Sequence, residues 1–431
     1  MSVPLDRLYN FLQDVASRDH VLIYRFYPHG SRKISDLNMI NTLDSKTFGE
    51  RKPKSSKFVF CHDQEPLNFD LYTSPDMLDE LLDVTFLGSR MLNPELTEKC
   101  RELVEQLAPK LNIRIVGIAY NLWLKPVLLV HSELRSPEYL KYQTENFIGV
   151  YWWCHAVLAR DWFRYAEHDP LLSVEKQPSK DFLIYNRAWC GTREYRLKFT
   201  ELLVKHNLVT QCQTWFNQTD DEHRYQDHVF KNLNLQINNY DLHTFFEPTQ
   251  APSTCSADYS TNDYQQTAIE VVLETLFDDK RLQLTEKTLR PIACGQPFIL
   301  AATIGSLEYL RSYGFETFSP WIDETYDTIE DPAQRLEAIV QEMRRIADLS
   351  AAEKTLLYTS LKEISIRNKQ LFFSDQWQQS IIDEFKQNFD QAYDRLERAI
   401  TYPTQSLGNT PSQSAGGSDS LNFNTLSDRL V

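Results

Sequence analysis

Short β-branched or aromatic runs punctuate the first 175 residues. They stand at 20–26 (HVLIYRF), 57–61 (KFVFC), 83–88, 113–119 and 126–130, each bounded by polar turns, as buried strands are. Between them, 96–111 carries a helical period, with Leu103, Leu107 and Leu111 at four-residue steps. The alternation predicts an α/β layer with a mainly parallel sheet over residues 1–175.

The pattern then shifts. Residues 167–181 (EHDPLLSVEKQPSKD) are polar with two prolines and read as an interdomain linker. A second α/β series over 181–350 follows: a strand at 182–185, a helix at 194–205, a strand near 209–216, a helix through 269–276, a strand at 298–302 and a helix at 306–313. From 351 to 401 the pattern is helical. Trp377, Ile381, Ile382, Phe385, Phe389, Ala392, Tyr393, Leu396 and Ile400 recur at three- and four-residue steps, with Ser374 placed to cap. These C-terminal helices are expected to brace the two domains. The tail, 402–431, is rich in Ser, Asn, Thr and Gly and is expected to be disordered.

Composition narrows the chemistry. Twelve glycines in 431 residues is about 3%, where soluble proteins average about 7%. Neither G-x-G-x-x-G nor G-x-x-x-x-G-K-[ST] occurs, which argues against a nicotinamide enzyme or a P-loop NTPase. The seven cysteines include no C-x-x-C pair and read as reduced thiols. No apolar run approaches the roughly 18 residues of a membrane span, and MSVPLDRLYNFLQ lacks a secretory pattern. A soluble cytoplasmic protein without membrane partners is the expectation. No D-x-D stands at a strand end, and His223 and His228 are five apart, so no metal site is expected.

The net charge of −15 argues against general coating of nucleic acid. It is unevenly spread. Between 31 and 57, Arg32, Lys33, Lys46, Arg51, Lys52, Lys54 and Lys57 oppose only Asp36, Asp44 and Glu50. That basic stretch reads either as a solvated loop or as a place for phosphates.

The most informative segment begins at 270: EVVLETLFDDKRLQLTEKTLRPIACGQPFIL. Thr285 can cap a helix that opens at Glu286 and ends at Gly295, leaving free N–H groups for an anion. Lys287 adds a mobile positive charge beside that opening, and Glu286 can accept hydrogen bonds from a vicinal diol. The alternative is that both residues decorate a solvated first turn. Upstream, DFLIYNRAWCGTREYRL is a buried strand ending in a loop with Asn186, Arg187, Arg193 and Arg196. Arginine forks there can neutralise a diphosphate, or pair with Glu194 and Glu201 as surface residues.

Thr285-Glu286-Lys287 opening a helix, followed by Gln296, Pro297, Phe298 and Ile299 as a strand, resembles the donor-binding domain of GT-B glycosyltransferases of the fucosyltransferase-like kind. The resemblance implies an α/β fold of two Rossmann-like domains facing a cleft, with the acceptor domain at 1–175 and the nucleotide-sugar domain at 181–350. It implies donor binding by Arg187, Arg193, Thr285, Glu286 and Lys287, with a nucleotide-sugar as co-substrate and no further cofactor. The acceptor is open: a glycan, a small metabolite or a modified DNA base. Segments such as CHDQEPL, HSE and the aromatic run at 151–169 resemble those of proteins from large tailed phages, which would place the chain in a host cytoplasm.

Catalytic groups in the first domain are read locally. The strand FVFC runs into His62, Asp63, Gln64 and Glu65, and 126–130 runs into His131, Ser132 and Glu133. Asp63, ahead of Glu65, is the candidate base that takes the acceptor proton. His62, His131 and Glu133 are the candidate acceptor contacts, and turn or capping roles are the alternative. The aromatics of 151–169 read as core rather than as a stacking platform. The rival function is a non-catalytic interaction or structural protein that keeps a glycosyltransferase-like fold.

Overall fold

A run such as AIEVVL, apolar on both alternating faces, is stable only where both faces are covered, as in the interior of a parallel sheet. The computed structural model, which describes residues 11, 22–25, 40–42, 58–62, 127–135, 147–220, 223–239, 242 and 258–401, puts this run at the centre of such a sheet. The protein is mixed α/β with parallel sheets and forms two compact units. The described residues of one belong to Met1–Cys154 and Gln379–Gly416, those of the other to His155–Gln378.

The described residues of the first unit include five strands: β1 (Leu22–Arg25), β2 (Ile40–Thr42), β3 (Phe58–His62), β4 (Val127–His131) and β5 (Phe147–Tyr151). Their order is β2-β1-β3-β4-β5, and every pairing is parallel. β1, β3 and β4 fall where the pattern predicts strands, whereas β2 and β5 were not anticipated. The strands expected at 83–88 and 113–119, the helix at 96–111, most of the basic stretch at 31–57 and the tail at 402–431 lie outside the described residues. Phe385 and Phe389 of the last helix meet Phe11 edge-on, with ring centroids 5.8 and 5.6 Å apart. Trp152 packs on Phe385, and Asn388 Nδ2 donates to the Tyr151 carbonyl at 3.0 Å.

The second unit holds α1 (Cys154–Trp162, from His155 on), β6 (Lys180–Asn186), α2 (Tyr195–Lys205), β7 (Cys212–Phe216), the short antiparallel pair β8 (Thr219–Asp220) and β9 (His223–Arg224), α3 (Thr261–Gln266), β10 (Thr267–Leu273), α4 (Glu286–Cys294), β11 (Phe298–Ala301), α5 (Ser306–Ser312), α6 (Pro332–Ala347) and α7 (Ala351–Phe373). The final helix, α8 (Asp375–Thr401), begins here, with Ser374 Oγ accepting from Trp377 N. The sheet order is β7-β6-β10-β11, all parallel. Counting only the described strands of this sheet the order is 2-1-3-4, the order that β2-β1-β3-β4 has in the first unit. In both, the chain reverses its direction of winding between the first and third strands.

One expectation is overturned: 269–276 is not a helix but the central strand β10, buried at all seven positions. Glu270 and Glu274, four apart, look like the polar face of a helix. Both are instead buried on the strand face that α4 covers. Glu270 accepts from Arg290 Nη2 at 2.7 Å and from Tyr264 Oη at 2.6 Å, while Glu274 accepts from the start of α4. A lone buried carboxylate would be costly, so these partners are what allow acids in a central strand.

The polar segment 167–181 is also not the boundary between units, which falls earlier, at Cys154 and His155. Lys176 Nζ donates to the carbonyls of Tyr264 and Thr267 at 2.9 and 2.8 Å and to Gln296 Oε1, tying the segment to the start of β10. Asp169 accepts from Thr261 Oγ1 at 2.7 Å. Of the C-terminal helices, α7 braces this second unit: Lys354 and Tyr358 both bind Asp181 at 2.7 Å, beside the start of β6.

Candidate functional site

Ligands of open parallel sheets bind beyond the carboxyl ends of the strands, where the winding reverses. In the second unit that place lies between β6 and β10. The segments that follow them are 187–194 and 274–285, the two loops that carry the donor candidates.

The β10–α4 loop is built around Glu274, which is fully buried. Its Oε1 accepts from Thr285 N at 2.9 Å and Thr288 Oγ1 at 2.6 Å, and its Oε2 accepts from Thr285 Oγ1 at 2.7 Å and Thr275 N at 3.0 Å. Thr285 caps α4 as predicted, its hydroxyl accepting from Lys287 N. Gly295 ends the helix in the left-handed region at φ +68°, where a side chain would be strained. Pro291 lies inside α4 without ending it. The free N–H groups expected at the helix start are therefore taken: the chain's own carboxylate and hydroxyl fill the position foreseen for a phosphate.

Glu286 and Lys287 form a tight cluster with His155 of α1. Lys287 Nζ lies 2.7 Å from Glu286 Oε1 and 3.2 Å from Thr285 Oγ1. His155 Nε2 is 3.5 Å from Glu286 Oε2, and the Trp162 ring stands edge-on to the imidazole. Burial alone would raise the Glu286 pKa, but the charges of Lys287 and His155 outweigh it and hold the carboxyl down at about 2. Glu286 is thus anionic, buried and already hydrogen-bonded, while Lys287 is only partly covered. His155 was read only as part of an aromatic stretch. No motif could have exposed its role, which depends on α1 packing beside α4.

The three arginines after β6 do different work. Arg196 is buried, and its fork donates to the carbonyls of Ala188, Leu273 and Glu274 at 2.6, 2.6 and 2.9 Å. It ties the carboxyl ends of β6 and β10 together and is not free for a ligand. Tyr195 Oη adds bonds to the carbonyls of Glu274 and Ala301. Arg193 is half-buried in the turn Gly191–Arg193, and its charge bears on Tyr195 and Arg196. Arg187 is half-buried with no hydrogen-bond or ion-pair partner among the described residues. The backbone N–H groups of Trp189 and Cys190, a second natural anion nest, both donate to Asp220 Oδ2, at 2.7 and 2.6 Å.

In the first unit, the register pairs His62 with His131 and His131 with Tyr151, so three strand ends align at one level of the carboxyl edge. His131 and Glu133 are both buried. Ser132 Oγ accepts from Cys154 N at 3.4 Å. Asp63 and Glu65, the candidate bases, lie outside the described residues. Trp152, Trp153 and Phe163 are core, as the aromatic run suggested, and Arg160 pairs with Glu167 at 3.0 Å. Among the described residues no group of three or more His, Cys, Asp or Glu is placed to hold a metal ion, and no helix is long and apolar enough to cross a membrane. No protein-family model matches the chain, and no curated protein matches it.

Proposed function

We propose that this chain is a GT-B-type glycosyltransferase that moves a sugar from a nucleotide-sugar to an acceptor hydroxyl, the second unit holding the donor. The observation that carries the reading is the Glu286–Lys287 pair, which opens α4 just past the reversal point of an all-parallel sheet whose order repeats that of the first unit. In this reading Lys287 and Arg187 stabilise the diphosphate leaving group, since fixed cations near developing negative charge lower the barrier. Glu286, held anionic, accepts from ribose or sugar hydroxyls once Lys287 turns to the ligand. The acceptor side is the first unit, where His62 and His131 share a level; a glycan, a metabolite hydroxyl or a modified DNA base all fit such a transfer.

A second reading is favoured by one specific observation. Glu274 and Asp220 fill the two main-chain anion positions of the site, as suits a binding or structural protein that keeps the fold without the reaction.

Thermal shift with a panel of nucleotide-sugars separates the two, because a ligand bound by the native state alone raises its apparent stability. The transferase reading expects a shift and slow donor hydrolysis, with donor affinity and hydrolysis each reduced at least tenfold, and the shift correspondingly smaller, in Glu286→Ala and in Lys287→Ala. Unchanged donor binding in both variants would remove the donor site, and silence of the whole panel would favour the second reading.

A further inference from the structure

Buried polar atoms nearly always find a hydrogen-bond partner, so a side chain that finds none needs an explanation. Among the described residues, Gln283 is the buried carboxamide for which neither Nε2 nor Oε1 has a partner, and it is 3% exposed. It sits in the β10–α4 loop between the buried Leu282 and Leu284, two residues before Thr285. Because Thr285 is bonded through N and Oγ1 to Glu274, the residue after β10, the loop at Gln283 is held at the carboxyl end of the central strand.

The strands on either side repeat the feature. Asn186, the last residue of β6, is 1% exposed and has an unpartnered Oδ1. Thr303, two residues beyond β11, is 1% exposed and has an unpartnered Oγ1. The last residue of β6, the loop that follows β10 and the segment just past β11 thus each carry a buried polar group with unused hydrogen-bonding capacity, beyond the carboxyl ends of three adjacent strands, where ligands of such sheets bind. Buried atoms left over elsewhere in the unit include Trp215 Nε1, one carboxamide oxygen each of Gln226 and Gln378, and the Nε of Arg160, Arg196, Arg290 and Arg335, whose side chains, apart from those of Trp215 and Gln226, are bonded through other atoms.

We propose that Gln283 is a ligand-reading residue. Its Oε1 accepts from, and its Nε2 donates to, an adjacent donor–acceptor pair on the uncharged part of the ligand. Asn186 and Thr303 add single hydrogen bonds. A neutral carboxamide suits an uncharged group, and the main-chain anion positions nearby are taken by Glu274 and Asp220. Two parts of a nucleotide-sugar carry such a pair: the amide-like edge of the base and neighbouring sugar hydroxyls. The inference rests on the nucleotide-sugar reading of this edge.

Gln283→Leu separates recognition from structure. In the free protein it removes an unsatisfied buried amide, so its Tm is expected to rise by roughly 2–4 °C. Binding is expected to weaken roughly 10- to 100-fold. The probes are UDP-glucose, GDP-fucose and dTDP-glucose, each beside its own nucleoside diphosphate. Loss with the diphosphates as well assigns Gln283 to the base, and loss confined to the sugar-bearing probes assigns it to the sugar. Gln283→Glu keeps the shape without the donor and is expected to weaken binding with no gain in Tm. If the wild-type protein binds a probe and both variants bind it equally well, the role of Gln283 is overturned while the nucleotide-sugar reading stands. If the wild-type protein binds none of the probes, that reading falls and takes this inference with it.

Discussion

Glu274 holds Thr285 by both its amide and its hydroxyl, at 2.9 and 2.7 Å, so the residue just after the central strand also fixes the first turn of α4. Four residues upstream on the same face of β10, Glu270 binds Arg290 near the other end of the helix. Strand and helix run in opposite directions, and this pair of contacts sets how far one slides along the other.

Removing the first contact should be costly. Glu274→Ala leaves the amide and hydroxyl donors of Thr285 and Thr288 buried without their acceptor. Hydrogen bonds to a charged group contribute about 1.5–3 kcal/mol each, and the losses overlap, so a destabilisation of about 3–5 kcal/mol is expected. Urea unfolding should show a lower midpoint with an unchanged m-value. Glu274→Gln, which keeps the shape and one acceptor oxygen, should lose less than half as much. Equal midpoints for wild type and Glu274→Ala would mean that the cluster does not hold the helix.

Glu286 predicts a pH dependence with a definite sign. Its folded pKa, about 2, lies below the ordinary 4.5, so the unfolded chain binds the proton more readily. The stabilisation is complete above about pH 4.5 and is lost as the pH falls through about 2. The displacement corresponds to about 3 kcal/mol. Comparing wild type with Glu286→Gln at about pH 6 and again near pH 2 should show most of that difference at the higher pH and little at the lower. A difference independent of pH would show that the carboxylate charge is not what stabilises this turn.

Arg196 was a candidate for the ligand and proves to belong to the sheet. Its fork spans carbonyls that follow two different strands, those of Ala188 on one side and Leu273 and Glu274 on the other. Arg196→Met should cost about 3 kcal/mol or more, since three buried acceptors lose a charged donor. Arg196→Lys should recover only part, because one ammonium group does not reproduce a planar fork. Calorimetric midpoints of the two variants test the order, and full rescue by lysine would show that charge alone matters.

Much of this fold was legible, and the failures have physical causes. β6 and β11 stood out because their apolar runs are short and bounded by turns. The cap at Thr285 and the stop at Gly295 were legible because capping depends on residues next to each other in the chain. β10 was misread because Glu270 and Glu274 mimic a helix face, and only their partners, Tyr264 and Arg290 for one and Thr285 and Thr288 for the other, reveal that the acids are buried. β5 was missed because FIGVY carries a glycine that weakens the strand pattern. The candidate site was half legible: Glu286 and Lys287 are neighbours in sequence, whereas His155, Asp220 and Gln283 gain meaning only from what lies beside them in space, or fails to.

Arg187 offers the sharpest separation of function from stability. It follows β6 directly, one residue past Asn186, and is half-buried with no partner among the described residues. A half-buried side chain that makes no hydrogen bond or ion pair among the described residues contributes little to folding, so Arg187→Ala should change stability by no more than about 0.5–1 kcal/mol. An arginine at the carboxyl end of the first strand of the unit is, however, well placed for a diphosphate, which it can bind bidentately. Under the proposed function the same variant should weaken nucleotide-sugar binding roughly tenfold or more, with a shallower dependence on salt because one cation–phosphate contact is gone. Titration of wild type and variant at two ionic strengths measures both effects. Unchanged affinity at both would exclude Arg187 from the donor site and leave Lys287 to meet the leaving group without it.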